Sequence, residues 1–302
     1  MQGTVDGFSY GLITPLAAYV MACLGAALGL RCITRSLRND QSWKPGWLAL
    51  GAASIGCGIW TMHFIAMIGF QVEESRIRYD VGLTILSLAV AIVVVGLGVF
   101  AVGYRGANTA TLLMAGAFTG IGVAAMHYIG MAAIQVNGSL EYDVPTVALS
   151  VGIAIVAATA ALWAAVAIRG FMTSLGASLV MGVAVSGMHY TGMAAVSVHL
   201  HGATGSPGVG GSAQSLLLPM LLGPALFLLL AGVVVMFDPM LVLGDGDWRR
   251  PVAGRRELTP QASWAEESGS LFEAPSDAAR RAYGQDAGHH SYGQGAPAPR
   301  NW

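Results

Sequence analysis

Charge is scarce in this chain: only 10% of its 302 residues are Asp, Glu, Lys or Arg, and the formal net charge is -1. In so apolar a sequence the position of the positive residues matters and their sum does not, and no nucleic-acid partner is expected. Cysteine is nearly absent. Cys23, Cys32 and Cys57 sit in or beside apolar runs without CxxC spacing, which excludes a disulfide framework or a zinc knuckle and leaves them as packing residues. Residues 1 to 10 have no Lys or Arg and one acid, Asp6. A cleavable signal peptide needs a basic start, so the first apolar run is expected to be a permanent span. There is no HExxH, no Ser beside a base and no carboxylate pair within the apolar runs, and an enzyme is therefore not expected.

What the chain does have is apolar length. Hydrophobic residues make up 55% of it and mean hydropathy is +0.62, values of a multi-spanning membrane protein. A bilayer core of roughly 30 Å takes about 20 helical residues to cross. Seven runs reach that length, at approximately 11 to 30, 46 to 70, 81 to 104, 109 to 136, 145 to 168, 172 to 198 and 215 to 243. Each must be a helix, because the lipid interior offers backbone groups no other partner. The expected fold is all-α, a polytopic bundle of seven transmembrane helices over residues 1 to 243. Residues 244 to 302 are rich in Gly, Pro, Ala, Ser and Arg and read as a disordered cytoplasmic tail.

Orientation follows from the basic residues. Arg31, Arg35, Arg38, Lys44, Arg105, Arg169, Arg249, Arg250, Arg255 and Arg256 lie on one side, against Arg76 and Arg78 on the other. The richer side is cytoplasmic, which puts the N-terminus outside and the C-terminus inside.

One hexapeptide recurs. It reads Met62-His63-Phe64-Ile65-Ala66-Met67, then Met126-His127-Tyr128-Ile129-Gly130-Met131, then Met188-His189-Tyr190-Thr191-Gly192-Met193. The copies fall in spans two, four and six, in their outer halves; His63 is expected roughly 10 Å below the outer end of its span, with His127 and His189 at similar depth. Downstream, Gln71-Val72 with Tyr79-Asp80-Val81 matches Gln135-Val136 with Tyr142-Asp143-Val144, while the third copy ends its helix in Ser197-Val198. The chain thus reads as a leading helix followed by three hairpin repeats. The Tyr-Asp pairs suit an interfacial aromatic and a helix cap, or, with Glu73, Glu74 and Glu141, an acidic vestibule. Glycines crowd the motif helices, Gly116-x-x-x-Gly120 among them, as close helix contact requires. His199 and His201 lie in a Gly-rich outer loop, solvated or as an accessory metal site.

An imidazole inside a membrane is costly unless something uses or satisfies it. Residues i and i+4 share a helix face, so His63 with Met67, His127 with Met131 and His189 with Met193 each present an imidazole and a thioether, flanked by Met62, Met126 and Met188. Soft thioethers favour Cu(I) and imidazole accepts copper in either oxidation state, whereas no Cys or carboxylate cluster suits zinc or a hard cation. The plain alternative is packed histidines donating to carbonyls, with duplication carrying the motif passively. Copper transport or delivery, and haem held between imidazoles, are two further uses of the same residues.

The three motifs on alternate helices of seven spans resemble the MHYT family of bacterial integral membrane sensor domains, over about residues 8 to 243. Only Met188-His189-Tyr190-Thr191 spells the signature in full; Ile129 replaces Thr in the second copy, and Phe64-Ile65 replace both positions in the first. The resemblance implies a sensor in the bacterial cytoplasmic membrane that binds one or two copper ions near the outer face. It further implies detection of a diatomic gas such as O2, CO or NO, or of redox state. Many relatives carry a fused cyclic-di-GMP output domain, which the short polar tail here does not match. The expected output is a separate cytoplasmic signalling protein.

Overall fold

A computed structural model describes residues 3–7, 9–38, 44–72, 77–168, 170–200 and 213–237. Glu73, Glu74, Arg76, Arg169, His201 and the whole of 244–302, with Arg249, Arg250, Arg255 and Arg256, lie outside the described residues.

Among the described residues seven helices are long and apolar enough to cross a membrane: α1 (Ile13–Arg38), α2 (Lys44–Ile68), α3 (Val81–Arg105), α4 (Thr109–Ala132), α5 (Val144–Ala167), α6 (Phe171–Ala194) and α7 (Ala213–Met236). This is a multi-pass membrane protein of the all-α class, its spans all helical. Local chemistry explains where the helices begin and end. Asp80 accepts from the Leu83 N–H, Asn108 from Thr111 and Asp143 from Thr146, each capping orphan donors of a first turn. Glycine serves two other helix ends: Gly106 (φ 80°) ends α3 and Gly170 (φ 100°) precedes α6, a backbone region costly for other residues.

Helices α1 to α6 form a closed ring in chain order, with α6 returning to pack on α1. α7 stands apart from the ring, against α2 and α1. The hairpin repeats are present in chain order, but α1 takes the place beside α6 that the third repeat's own partner would fill. Ring neighbours approach closely where side chains are missing. A Cβ on Gly25 would lie 2.6 Å from the Gly58 Cα, and one on Gly120 would collide with the Ile155 backbone of α5.

Three of the apolar runs overshoot their helices. α2 stops at Ile68, α4 at Ala132 and α6 at Ala194, because the residues beyond turn into short strands. β1 (Val5–Asp6) pairs with β2 (Gln71–Val72), β3 (Arg78–Tyr79) with β4 (Ile134–Gln135), and β5 (Gly138–Tyr142) with β6 (Val196–Leu200), all antiparallel. Ser197-Val198, expected at a helix end, and His199, expected in a loop, are therefore strand residues. Hydropathy cannot separate an apolar strand from the end of an apolar helix. The strand pairs tie α1 to α2, α3 to α4 and α5 to α6 at the motif end, aided by Asp80 N–H to Ala133 O (2.8 Å) and Asp143 N–H to Ala195 O (2.9 Å).

Candidate metal centre

The motif helices α2, α4 and α6 occupy alternate places in the ring, so one face of each looks to the common axis. His63, His127 and His189 each lie five residues before the last residue of their helix, at one level about 7.5 Å from its end. The structure brings them together. Their Nδ1 atoms form a triangle, His63 to His189 3.0 Å, His127 to His63 3.2 Å and His189 to His127 3.3 Å. The rings are mutually near-perpendicular, at 80°, 81° and 86°, and all three are buried to within 1% of complete.

Hydrogen bonding alone cannot satisfy this triangle. An uncharged Nδ1 is either a donor or an acceptor, so with three of them at least one edge must join two of a kind. A shared cation satisfies three lone pairs at once. The point equidistant from the nitrogens lies about 1.8 Å from each, the side divided by √3, against metal–imidazole bonds of roughly 2.0–2.1 Å. The spacing therefore fits one ion held jointly by His63, His127 and His189. Among the described residues these three are the only group of His, Cys, Asp or Glu with metal-ligand spacing.

The other motif positions hold the rings in place. Phe64, Tyr128 and Tyr190 meet their neighbouring imidazoles edge-on at 4.7, 4.8 and 5.0 Å between centroids. It is the ring that matters there: the Tyr128 hydroxyl is bonded to Ser150 on α5 (2.7 Å), and Phe64 does the same packing without one. The glycines at +3 make room across the axis. A Cβ on Gly130 would stand 2.5 Å from His63 Nε2, and one on Gly192 2.5 Å from His127 Nε2. Those two Nε2 atoms are buried without a hydrogen-bond partner. In the sequence the only mark of this task is the small residue, Ala66, Gly130 or Gly192, recurring at one place in the motif.

The predicted thioethers are divided among packing environments. Met67, Met126, Met131 and Met188 lie in the main core cluster with Met193 half-buried beside it, while Met62 packs with Ala18 and Ala22 of α1. Cys32 and Cys57 share a cluster with α7, as packing residues do, and Cys23 is also a free thiol.

Outside the spans, Asp80 and Asp143 act as helix caps, which supports the plainer reading of the Tyr-Asp pairs. The Thr146 hydroxyl and N–H both donate to Asp143 and hold its carboxyl below the usual range. His199 on β6 faces Glu141 on β5 at 3.6 Å. Burial raises the Tyr79 phenol, whose ring packs on Phe64 at 6.0 Å.

Fold and site together define a multi-pass membrane protein with a buried three-histidine cluster built from one repeated motif. The chain belongs to the MHYT family, the bacterial signalling protein N terminal repeat, which it matches three times, at residues 56–115, 120–177 and 182–253. It is similar to the bifunctional diguanylate cyclase/cyclic di-GMP phosphodiesterase MucR of Pseudomonas aeruginosa, 36% identical over 207 residues, covering 67% of this chain and 30% of that protein. The cyclic di-GMP phosphodiesterase NbdA of the same organism is 35% identical over 206 residues, 65% of this chain and 26% of NbdA. The signaling protein YkoW of Bacillus subtilis is 28% identical over 187 residues, 60% of this chain and 23% of YkoW. The chain thus spans less than a third of these relatives. No solved structure matches it.

Proposed function

We propose that this membrane domain binds one copper ion through His63, His127 and His189 and senses a diatomic gas, O2, CO or NO, or the redox state around it. The observation that carries the reading is the Nδ1 triangle, three buried imidazoles converging on one point with no thiolate or carboxylate in their group. Three imidazoles alone suit zinc as well as copper. The three motifs also carry six methionines, Met62, Met67, Met126, Met131, Met188 and Met193, and a thioether-rich motif favours the softer ion. If held by these imidazoles, copper would supply redox chemistry and an affinity for diatomic gases. On the positive-inside count it would lie near the outer face.

The protein's own part is to hold and to transmit. The aromatic edges and the two glycines fix the imidazoles, and the enclosure keeps water out. Because each ligand comes from a different helix, a change in preferred coordination would shift α2, α4 and α6 relative to one another and reach the cytoplasmic end through them. The output is then a separate cytoplasmic signalling protein, of the cyclic-di-GMP kind that the names of MucR and NbdA suggest.

Two alternatives fit less well. An ion path would need ligands continuing inward, yet Ser54, Ser174 and Ser178 spend their hydroxyls on backbone carbonyls of their own helices or caps. Haem would need a slot for a macrocycle, and rings whose nitrogens lie 3.0–3.3 Å apart leave none.

Elemental analysis with X-ray absorption, on wild type and on the triple variant His63→Ala, His127→Ala, His189→Ala, tests the proposal. The expected result is one copper per wild-type chain with nitrogen ligation, lost in the variant. Wild-type protein from copper-replete cells that carries no copper, or carries zinc in its place, overturns it.

A further inference from the structure

The three histidines head three columns of side chains. One helical turn earlier on the same faces stand Ile59, Val123 and Val185, and two turns earlier Ile55, Thr119 and Met181. All six line a single cavity, which therefore lies on the axis the imidazoles share and begins one helical turn from them, the imidazoles themselves forming no part of its wall. Met188, the neighbour of His189, is also in its wall. The far side owes its room to α5, which turns Ala157, Ala158 and Ala161 inward where α1 and α3 present larger aliphatics.

The cavity suits one kind of occupant. It offers about 60 Å³ to the centres of water-sized molecules, several times the roughly 10–15 Å³ that one such molecule needs. A buried water also needs two to four polar partners. Thr119 is the one polar residue in the lining, and its hydroxyl is turned to the Val94 carbonyl of α3 (3.4 Å). Apolar cavities of this sort stay dry and take up xenon or small apolar molecules.

We propose that this axial chamber is a binding site for small apolar gas molecules, which enter from the bilayer and are held one helical turn below the histidine cluster. It rests on the gas-sensing reading in one respect, that the molecule held there is the one delivered to the cluster.

Xenon is the probe, measured by ¹²⁹Xe NMR on the full chain in nanodiscs. Wild type is expected to show one saturable site. Ala158→Leu and, independently, Ala161→Leu are each expected to weaken xenon binding at least tenfold while retaining wild-type copper content. The triple His→Ala variant is expected to bind xenon normally, because the chamber is built without the imidazoles. This separates the two readings: a chain without metal that still binds xenon keeps the chamber and loses the copper. The proposal is overturned if wild type binds no xenon, if both alanine variants bind it as wild type does, or if native mass spectrometry finds a retained lipid that Ala158→Leu displaces. Two fill variants and the wild-type titration keep it testable should either variant fail to fold.

Discussion

Gly130 of α4 lies against the imidazole of His63 on α2, so close that a Cβ there would stand 2.5 Å from Nε2 and 3.0 Å from Cδ2. The ring cannot swing aside, being held by Phe64 on one edge and by the other two imidazoles at its Nδ1. Gly130→Ala should therefore displace His63 from the triangle and lower metal affinity by about 10–100-fold, the usual cost of disturbing the residues behind a ligand. Gly192→Ala should do the same through His127. Equilibrium dialysis against a copper chelator measures both, and Ala66→Gly, which only removes a methyl at the corresponding place in the first motif, should bind metal as wild type does. Unchanged affinity in both alanine variants would rule out this role for the glycines.

Close packing without metal consequences is expected at the α1–α2 contact. A Cβ on Gly58 would lie 2.7 Å from the Gly25 Cα, backbone that has nowhere to go. Gly58→Ala should cost roughly 1–3 kcal/mol by overpacking. Gly187→Ala, with nothing within 4 Å of the new Cβ, should be neutral. Thermal unfolding in detergent distinguishes them, and equal melting temperatures would contradict the packing described here.

Trp60 anchors α2 to α3: its Nε1–H donates to the Ser87 hydroxyl (2.9 Å), and Ser87 in turn donates to the Thr84 carbonyl (2.7 Å). Trp60→Phe should lose about 1 kcal/mol, the scale of interhelical hydrogen bonds in membranes, and should retain its metal. Loss of copper together with stability would show that Trp60 supports the cluster and not only the helix pair.

The α5 cap supplies a pH dependence. The Asp143 carboxyl is held below its ordinary range by the Thr146 hydroxyl and N–H. A lowered folded-state value means that the cap's contribution is complete above the unfolded carboxylate range and fades as pH falls through the lowered value. Asp143→Asn keeps an acceptor without the charge, so its melting temperature should fall less steeply than that of wild type in acid. Parallel slopes from neutral to acid pH would remove Asp143 from the account.

Much of this protein was legible in its amino acids. Seven spans follow from run length and hydropathy, because a bilayer imposes one length on every crossing helix. The matched level of His63, His127 and His189 follows from the repeat spacing, and the caps at Asp80 and Asp143 from a carboxylate placed just before an apolar run. The strands after α2, α4 and α6 were not legible, since Gln71-Val72 or Val196–Leu200 become strands only when a partner segment from another repeat lies alongside. Nor was the departure of α7 from the ring.

The convergence of the three imidazoles was the tertiary structure's decision. In lipid a helix is apolar all round, and periodicity does not reveal which face turns inward. Whether three rings at one depth meet or point apart depends on the rotation of each helix about its own axis. That rotation is set by contacts between distant residues, Gly25 with Gly58, Gly120 with Ile155 and Gly130 with His63. The motif placed the histidines at one level; the packing of small residues around the ring turned them toward one another.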